Sequence, residues 1–137
     1  EAKIIHVYRD PPATCWSNFK TYFSQKGYGY CYNLNDVVEY YKLYADLMQF
    51  WQSEYSDKIY NLSYENLTTD QENQTRKLLK HLELNWEDAC LSPHKNNRSV
   101  RTASQQQVRQ KVYKGSSEAW RKYEPYLEGA FDGLPSL

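Results

Sequence analysis

The sequence predicts a helix-rich α/β fold in which parallel strands are flanked by helices. Residues 4–7, Ile-Ile-His-Val, form a short β-branched run that is typical of a buried strand in a parallel sheet. Residues 58–64 alternate in polarity and predict a second strand. The segment between them has helical periodicity, so we expect a right-handed crossover that pairs the two strands in parallel.

The first strand is expected to lead through a tight turn into a helix. Asp10 is a good N-cap residue, and Pro11-Pro12 suits a first helical turn, so a helix should run from there to about Phe23. Arg9 then leaves the carboxyl end of the strand, and Ser17 lies about two turns into the helix. Since ligands bind at strand carboxyl ends and helix N-termini attract anions, the guanidinium and hydroxyl predict a phosphate site.

Residues 25–33, with two glycines and several tyrosines, indicate a loop. It is either a lid that faces the substrate or a surface connection whose tyrosines fold back on the core. Asn33 or Asn35 should then cap a long helix. Its apolar residues recur every three to four positions and predict a core-facing stripe rather than a cofactor box: Val37, Tyr41, Tyr44, Leu47, Met48 and Trp51.

The second strand is expected to end in the motif Tyr64-Glu65-Asn66-Leu67. Thr69 or Asp70 should cap the next helix, which runs to about Leu82, and residues 85–91 predict a short helical turn. Residues 92–104 are basic and irregular, and a last helix should carry Trp120. Two parallel strands do not make a stable open sheet, so either another segment supplies strands or, as we prefer, the chain is an excerpt.

Composition narrows the function classes. The chain has 137 residues, enough for one domain or part of one, with 17 basic and 17 acidic residues. The balance predicts no nucleic-acid partner, so an anion site must be a local cluster. No membrane-length apolar run is present. The three cysteines show no metal-binding spacing, so we expect no metal site and reduced or buried thiols.

Three motifs carry a resemblance to a known family: IIHVYRDPPATCWSNF, YNLSYENL and NNRSVRTASQQQVRQKVYKGSSEAWRKYEPYL. In this order they resemble the sulfotransferase family, and within it the tyrosylprotein sulfotransferases and their bacterial relatives. The resemblance covers essentially the whole chain. It implies a P-loop nucleotide-kinase-like fold and the donor 3′-phosphoadenosine 5′-phosphosulfate (PAPS), released as 3′-phosphoadenosine 5′-phosphate.

The resemblance also implies roles for particular residues. Arg9 and Ser17 match the site of the donor's 3′-phosphate, and Tyr64 matches a tyrosine that contacts the nucleotide. Ser104 matches a serine near the sulfonate or bridging phosphate, where it would contact the phosphosulfate or the transition state. Residues 104–113 match a loop that folds over the nucleotide. Arg101 is an electrostatically suitable addition to this cofactor-binding set.

This sequence lacks several residues that the sulfotransferase pattern would place in the site. The phosphosulfate-binding loop and the acceptor-deprotonating carboxylate or histidine are not found. We therefore interpret residues 1–137 as the C-terminal part of a single sulfotransferase domain, incomplete and inactive alone. Thr21 replaces a second basic residue, although Lys20 is adjacent. Ala119 replaces a nucleotide-contacting lysine, for which Lys114 or Arg121 would substitute.

The function predicted is sulfonate transfer from PAPS to a hydroxyl acceptor: a peptide tyrosine, a glycan or a small molecule. One alternative is a non-catalytic nucleotide-binding or scaffolding remnant of the same fold, and a weaker one is a nucleoside-phosphate kinase relative. A homodimer is compatible with the sequence. The compartment stays open: the cytoplasm for a bacterial relative, the Golgi lumen for a eukaryotic tyrosylprotein sulfotransferase relative.

Each site residue also has a purely structural interpretation. Arg9 and Asp10 could form a local ion pair at the strand end. Tyr64 could cap the core. Ser104 could be a helix N-cap, with Gln107 completing a capping box.

Overall fold

A two-stranded parallel sheet lies among helices in the computed structural model, which describes residues 2–24, 26–100 and 106–136. Strand β1 (Ile4–Tyr8) pairs with β2 (Ile59–Ser63), with Ile4 opposite Ile59 and Tyr8 opposite Ser63. The parallel pairing predicted from the sequence is confirmed. Within the described residues no third strand joins this sheet, so the structure is a helix-rich α/β arrangement with two strands.

Strand β1 is less buried than its composition predicted. Ile4, Ile5 and Val7 are 49%, 38% and 55% exposed, so the prediction of a buried strand was wrong for this chain. The reason lies in the neighbours of the sheet. The helix that carries His81 packs against β2, where the Tyr60 ring lies 4.9 Å from the His81 ring. Ile5 and Val7 share the Tyr60 face of the sheet but stay partly uncovered, and Ile4 lies on the opposite face.

Helix α1 (Pro11–Lys20) begins as predicted. The Asp10 carboxylate accepts a 2.9 Å hydrogen bond from the Ala13 N–H, which satisfies one of the helix's free donors. The helix ends at Lys20 rather than near Phe23, because Thr21 adopts an extended conformation. The Thr21 hydroxyl instead donates to the Ser17 carbonyl at 2.6 Å.

Helix α2 (Leu34–Glu54) follows a 3₁₀ turn, Gly29–Tyr32. Its cap is Asn33 and not Asn35, since the Asn33 side chain accepts from two N–H groups of the first turn. Only the first half of the predicted stripe is core. Val37 and Tyr41 are buried, whereas Leu47 is 52% exposed. The buried core cluster packs on the N-terminal part of α2, and β2 contacts the C-terminal part through a 2.8 Å hydrogen bond from Asn61 Nδ2 to Gln52 Oε1.

Two helices follow β2: α3 (Tyr64–Thr69) and α4 (Gln71–Leu82). Tyr64 was predicted to end the strand, but it begins α3. Ser63 is the reason, because its hydroxyl accepts from the Asn66 N–H and caps the new helix. Asp70 precedes α4, and the predicted turn after α4 is a 3₁₀ turn, Asp88–Leu91.

The C-terminal part consists of two 3₁₀ turns, Pro93–Lys95 and Gln107–Arg109, and a 3₁₀ helix, Ser116–Tyr126. The core lies where this last helix meets α1 and α2. It is formed by Ala13, Cys15, Val37, Val38, Tyr41, Ala45, Trp120 and Phe131. All three cysteines are free, and Cys15 and Cys31 are buried. Among the described residues, no helix is both long and apolar enough to cross a membrane.

Candidate functional site

A cavity of about 320 Å³ opens at the carboxyl end of β1, between α1 and the C-terminal 3₁₀ helix. Helix α1 supplies one wall, because a helix presents residues three or four positions apart on the same face. These residues are Ala13, Trp16, Ser17 and Lys20. The opposite wall includes Tyr113, Lys114, Gly115 and Ser116.

Four of the six predicted site residues line this one cavity: Arg9, Ser17, Tyr64 and Lys114. They come from β1's carboxyl end, α1, the first turn of α3 and the segment before the 3₁₀ helix, so only the tertiary fold brings them together. Arg101 and Ser104, the other two, lie outside the described residues. The loop predicted to fold over the nucleotide is described only from residue 106 onward.

The Arg9 guanidinium is held by the C-terminal 3₁₀ helix. Its Nε donates to Ser117 Oγ at 3.0 Å, and Nη2 donates to the Ser116 carbonyl at 2.7 Å. The group also lies over the Tyr64 ring, 5.1 Å from the centroid, as a cation–π contact. The ion pair with Asp10 that the sequence left open is not formed, because the Asp10 carboxylate caps α1 instead.

Tyr64 is fixed by its hydroxyl, which forms a 3.0 Å hydrogen bond with Ser116 Oγ. The ring is half-buried and forms part of the cavity wall. A second cavity of about 370 Å³ lies on the other side of Tyr64 and shares Gln107 and Tyr113 with the first. Tyr64 therefore lines both cavities, and the wall of the second also includes the apolar residues Leu67, Val108 and Val112.

Three polar groups face the first cavity without a partner in the part of the chain that the structure describes: the Ser17 hydroxyl and the ammonium groups of Lys20 and Lys114. The two lysines and Arg9 bring three positive charges to one cavity. Among the described residues, none of these three side chains forms an ion pair with a carboxylate. Such an arrangement favours an anionic ligand.

The departures noted in the sequence are partly compensated in space. Thr21, where a second basic residue was expected, is absent from the cavity wall, but its neighbour Lys20 lines it. Arg121, one of two candidates for the missing lysine, pairs with Glu118 instead. Lys114 is the candidate that lines the cavity.

Sequence reasoning missed several residues of the site. Trp16 could have been found, since it shares a helix face with Ser17. Ser116, Ser117 and Glu65 carried no signal of their own, because their importance depends on contacts with distant residues. Trp120 is 8% exposed, and its indole Nε1 is buried without an acceptor among the described residues.

A family model described as "Sulfotransferase family" matches residues 1–88, more than half of the chain. The chain belongs to the sulfotransferase family. The matched region includes the β1–α1 turn, Ser17 and Tyr64, whereas Lys114 and the C-terminal 3₁₀ helix lie beyond it. Family membership suggests a transferase.

One relative is an uncharacterized protein of Aquifex aeolicus (strain VF5), which is 37% identical over 128 residues. The aligned region covers 92% of this chain but 17% of that protein. The chain therefore spans about a sixth of the length of the curated relative that it matches. Because the similarity extends through most of this chain, it includes segments that the family model leaves unmatched.

Proposed function

We propose that this chain forms the 3′-phosphate-binding part of the donor site of a PAPS-dependent sulfotransferase. The observation that carries the proposal is the convergence of Arg9, Lys20, Lys114 and the Ser17 hydroxyl on one cavity at the carboxyl end of β1. In the described part of the chain, none of the three cations forms an ion pair with a carboxylate.

The donor chemistry fits these residues. A 3′-phosphate carries close to two negative charges, which suit a guanidinium fork with further point charges and a hydroxyl donor. The Tyr64 ring and the exposed Tyr113 ring offer π-faces of the kind on which a purine base stacks. The cavity volume of about 320 Å³ lies within the usual range for small-ligand sites, roughly 300–1,000 Å³.

In sulfuryl transfer the acceptor oxygen attacks sulfur in line with the departing phosphate oxygen, and the leaving nucleotide gains negative charge. In the proposed function Arg9, Ser17 and Lys114 bind and orient that nucleotide through its 3′-phosphate. The family resemblance adds Arg101 and Ser104 to the proposed binding set, and both lie outside the described residues. Charge develops at the 5′-phosphate, not at the 3′-phosphate, so in the proposed function these residues act by binding and orienting the donor rather than by stabilising the leaving group directly.

The transfer half of the site is proposed to lie outside this chain. Among the described residues, the cavity wall contains no carboxylate or imidazole that would deprotonate a hydroxyl. This observation also favours the second candidate function, a non-catalytic protein that keeps the fold and binds a nucleotide. The two functions share the binding site and differ in whether the protein that contains this chain transfers sulfonate.

A calorimetric titration tests the proposal. We expect 3′-phosphoadenosine 5′-phosphate to bind at least about tenfold more tightly than adenosine 5′-phosphate, because a charged hydrogen bond contributes about 1.5–3 kcal/mol. Equal affinities would contradict a 3′-phosphate site. A second assay then distinguishes the two candidate functions. It measures the transfer of radiolabelled sulfonate by the protein from the whole reading frame, with tyrosine peptides, glycans and small alcohols as acceptors.

A further inference from the structure

One carboxylate, that of Glu65, lies close to Arg9 without touching it. Glu65 is half-buried in the first turn of α3 and does not line the cavity. Its Oε1 accepts a 2.5 Å hydrogen bond from Ser117 Oγ, the same oxygen that accepts from Arg9 Nε at 3.0 Å. The Ser117 hydroxyl is thus interposed between the acid and the guanidinium.

The direction of these hydrogen bonds follows from the donor inventory. A guanidinium can only donate and an ionised carboxylate can only accept. The single Ser117 proton therefore goes to Glu65, and a Ser117 lone pair receives the Arg9 Nε–H. Ser117 is 6% exposed, so water does not readily compete for either bond.

Glu65 also fixes the backbone next to Arg9. Its Oε1 accepts a 3.1 Å hydrogen bond from the Asp10 N–H, at the turn between β1 and α1. One carboxylate oxygen therefore joins three segments that are distant in sequence: the turn after β1, the start of α3 and the C-terminal 3₁₀ helix. These three segments also hold Arg9, Tyr64 and Ser116 of the cavity wall.

The interposed hydroxyl has a consequence for anion binding. A carboxylate in direct contact with Arg9 would compete with a phosphate for the guanidinium. Held through Ser117, the guanidinium is oriented by Nε and Nη2, while Nη1 keeps no hydrogen-bond partner among the described residues. Nη1 is therefore free to donate a hydrogen bond to an anion in the cavity that Arg9 lines.

We propose that Glu65 is a positioning residue that orients Arg9, through Ser117, for a phosphate in the cavity. This inference rests on the proposed 3′-phosphate site. It adds a specificity determinant, because Glu65 sets the geometry of the group that distinguishes a nucleotide with a 3′-phosphate from one without it.

A double-mutant cycle tests the inference. The dissociation constants of 3′-phosphoadenosine 5′-phosphate and adenosine 5′-phosphate are measured for the purified protein, Glu65→Ala, Arg9→Ala and the double variant. We expect Glu65→Ala to weaken binding of the bisphosphate about fivefold to tenfold and to leave the monophosphate unchanged within twofold. In the Arg9→Ala background the Glu65 substitution should have no further effect.

Three further variants complete the test, and they separate the hydrogen-bond relay from general loss of folding. Glu65→Gln keeps an acceptor oxygen for Ser117 and Asp10, so it should retain bisphosphate affinity within about threefold. Glu72→Ala removes an exposed acid that pairs with Arg76 on α4, and it should change neither affinity. Ser117→Ala should reproduce the selective loss of Glu65→Ala.

The outcomes separate the two levels of the proposal. If Glu65→Ala weakens both nucleotides equally, or acts as strongly without Arg9, the residue is structural only and the inference is overturned. The same holds if Arg9→Ala weakens bisphosphate binding and Glu65→Ala does not. If Arg9→Ala binds both nucleotides like the parent protein, the 3′-phosphate site itself is wrong, and the inference fails with it.

Discussion

Arg9 Nε donates a 3.0 Å hydrogen bond to Ser117 Oγ, although the two residues lie 108 positions apart in the chain. This contact joins the end of β1 to the C-terminal 3₁₀ helix and closes the cavity between them. The family match ends at residue 88, so the half of the cavity that holds Arg9 in place lies outside the matched region.

Anion binding should depend on the lysines of the cavity. Lys114→Ala is expected to weaken binding of 3′-phosphoadenosine 5′-phosphate and to reduce its dependence on salt, because a largely exposed charge acts through a screened field. Titrations between about 0.05 and 0.5 M salt measure both effects. Lys42→Ala is the matched control, since Lys42 pairs with Glu39 on α2. Identical salt dependence in Lys114→Ala and the parent protein would contradict the expected contact.

The start of α1 should depend on its N-cap. Asp10→Ala removes the acceptor of the Ala13 N–H and should lower the free energy of unfolding by about 1 kcal/mol, as measured by urea denaturation. Asp46→Ala is the control, because Asp46 is exposed within α2 and its carboxylate accepts no hydrogen bond among the described residues. Equal losses in the two variants would show that the Asp10 cap contributes nothing specific.

Stability in acid should depend on Glu65. Burial alone would raise the pKa of its carboxyl, but the hydrogen bonds from Ser117 and the Asp10 N–H, together with the Arg9 charge, lower that pKa below its usual 4.5. A lowered pKa means that the unfolded chain binds the proton more readily. The stabilisation is therefore fully present above pH 4.5 and is lost as the pH falls through the lower pKa of the folded state.

The measurement is urea denaturation of the parent protein and Glu65→Gln at a series of acidic pH values. The free energy of unfolding should fall less steeply below about pH 5 in the variant, since the glutamine does not titrate. Parallel curves for the two proteins would mean that the Glu65 carboxylate does not gain its hydrogen bonds on folding.

Thiol reactivity should distinguish the cysteines. Burial, reinforced by the nearby Asp10 charge, raises the pKa of Cys15 to about 12, so its thiol stays protonated at neutral pH. Because Cys31 is also buried, an aromatic disulfide reagent should label only the partly exposed Cys90 in the native protein. Cys90→Ser should abolish this fast labelling, and mass spectrometry that finds Cys15 labelled in the folded protein would contradict the packing of α1.

The features that the sequence predicted correctly are those determined locally. The β1–turn–α1 unit depends on Asp10, Pro11 and a β-branched run, which lie within a few residues of one another. Asn33 and the helical period of α2 are equally local. The family motifs predict nucleotide-binding roles for Arg9, Ser17 and Tyr64, with Lys114 as a substitute for a missing lysine. The fold brings these four residues to one cavity, and their roles stay predictions.

The features that escaped prediction depend on distant neighbours. The exposure of Val7 and Leu47 follows from which elements cover β1 and α2, and this cannot be read from their own periodicity. Tyr64 was assigned to the strand because the alternation continues through it, but the Ser63 cap starts a helix there. Glu65 and Ser117 acquire their roles only where three remote segments meet.

Calorimetry on Arg9→Ala measures whether Arg9 binds the 3′-phosphate. Arg76→Ala is the matched control, because Arg76 pairs with Glu72 and stacks on Trp86 away from the cavity. We expect Arg9→Ala to weaken binding of 3′-phosphoadenosine 5′-phosphate by about 1.5–3 kcal/mol, while Arg76→Ala binds like the parent protein. Equal affinity of Arg9→Ala and the parent protein would show that Arg9 is not the phosphate ligand.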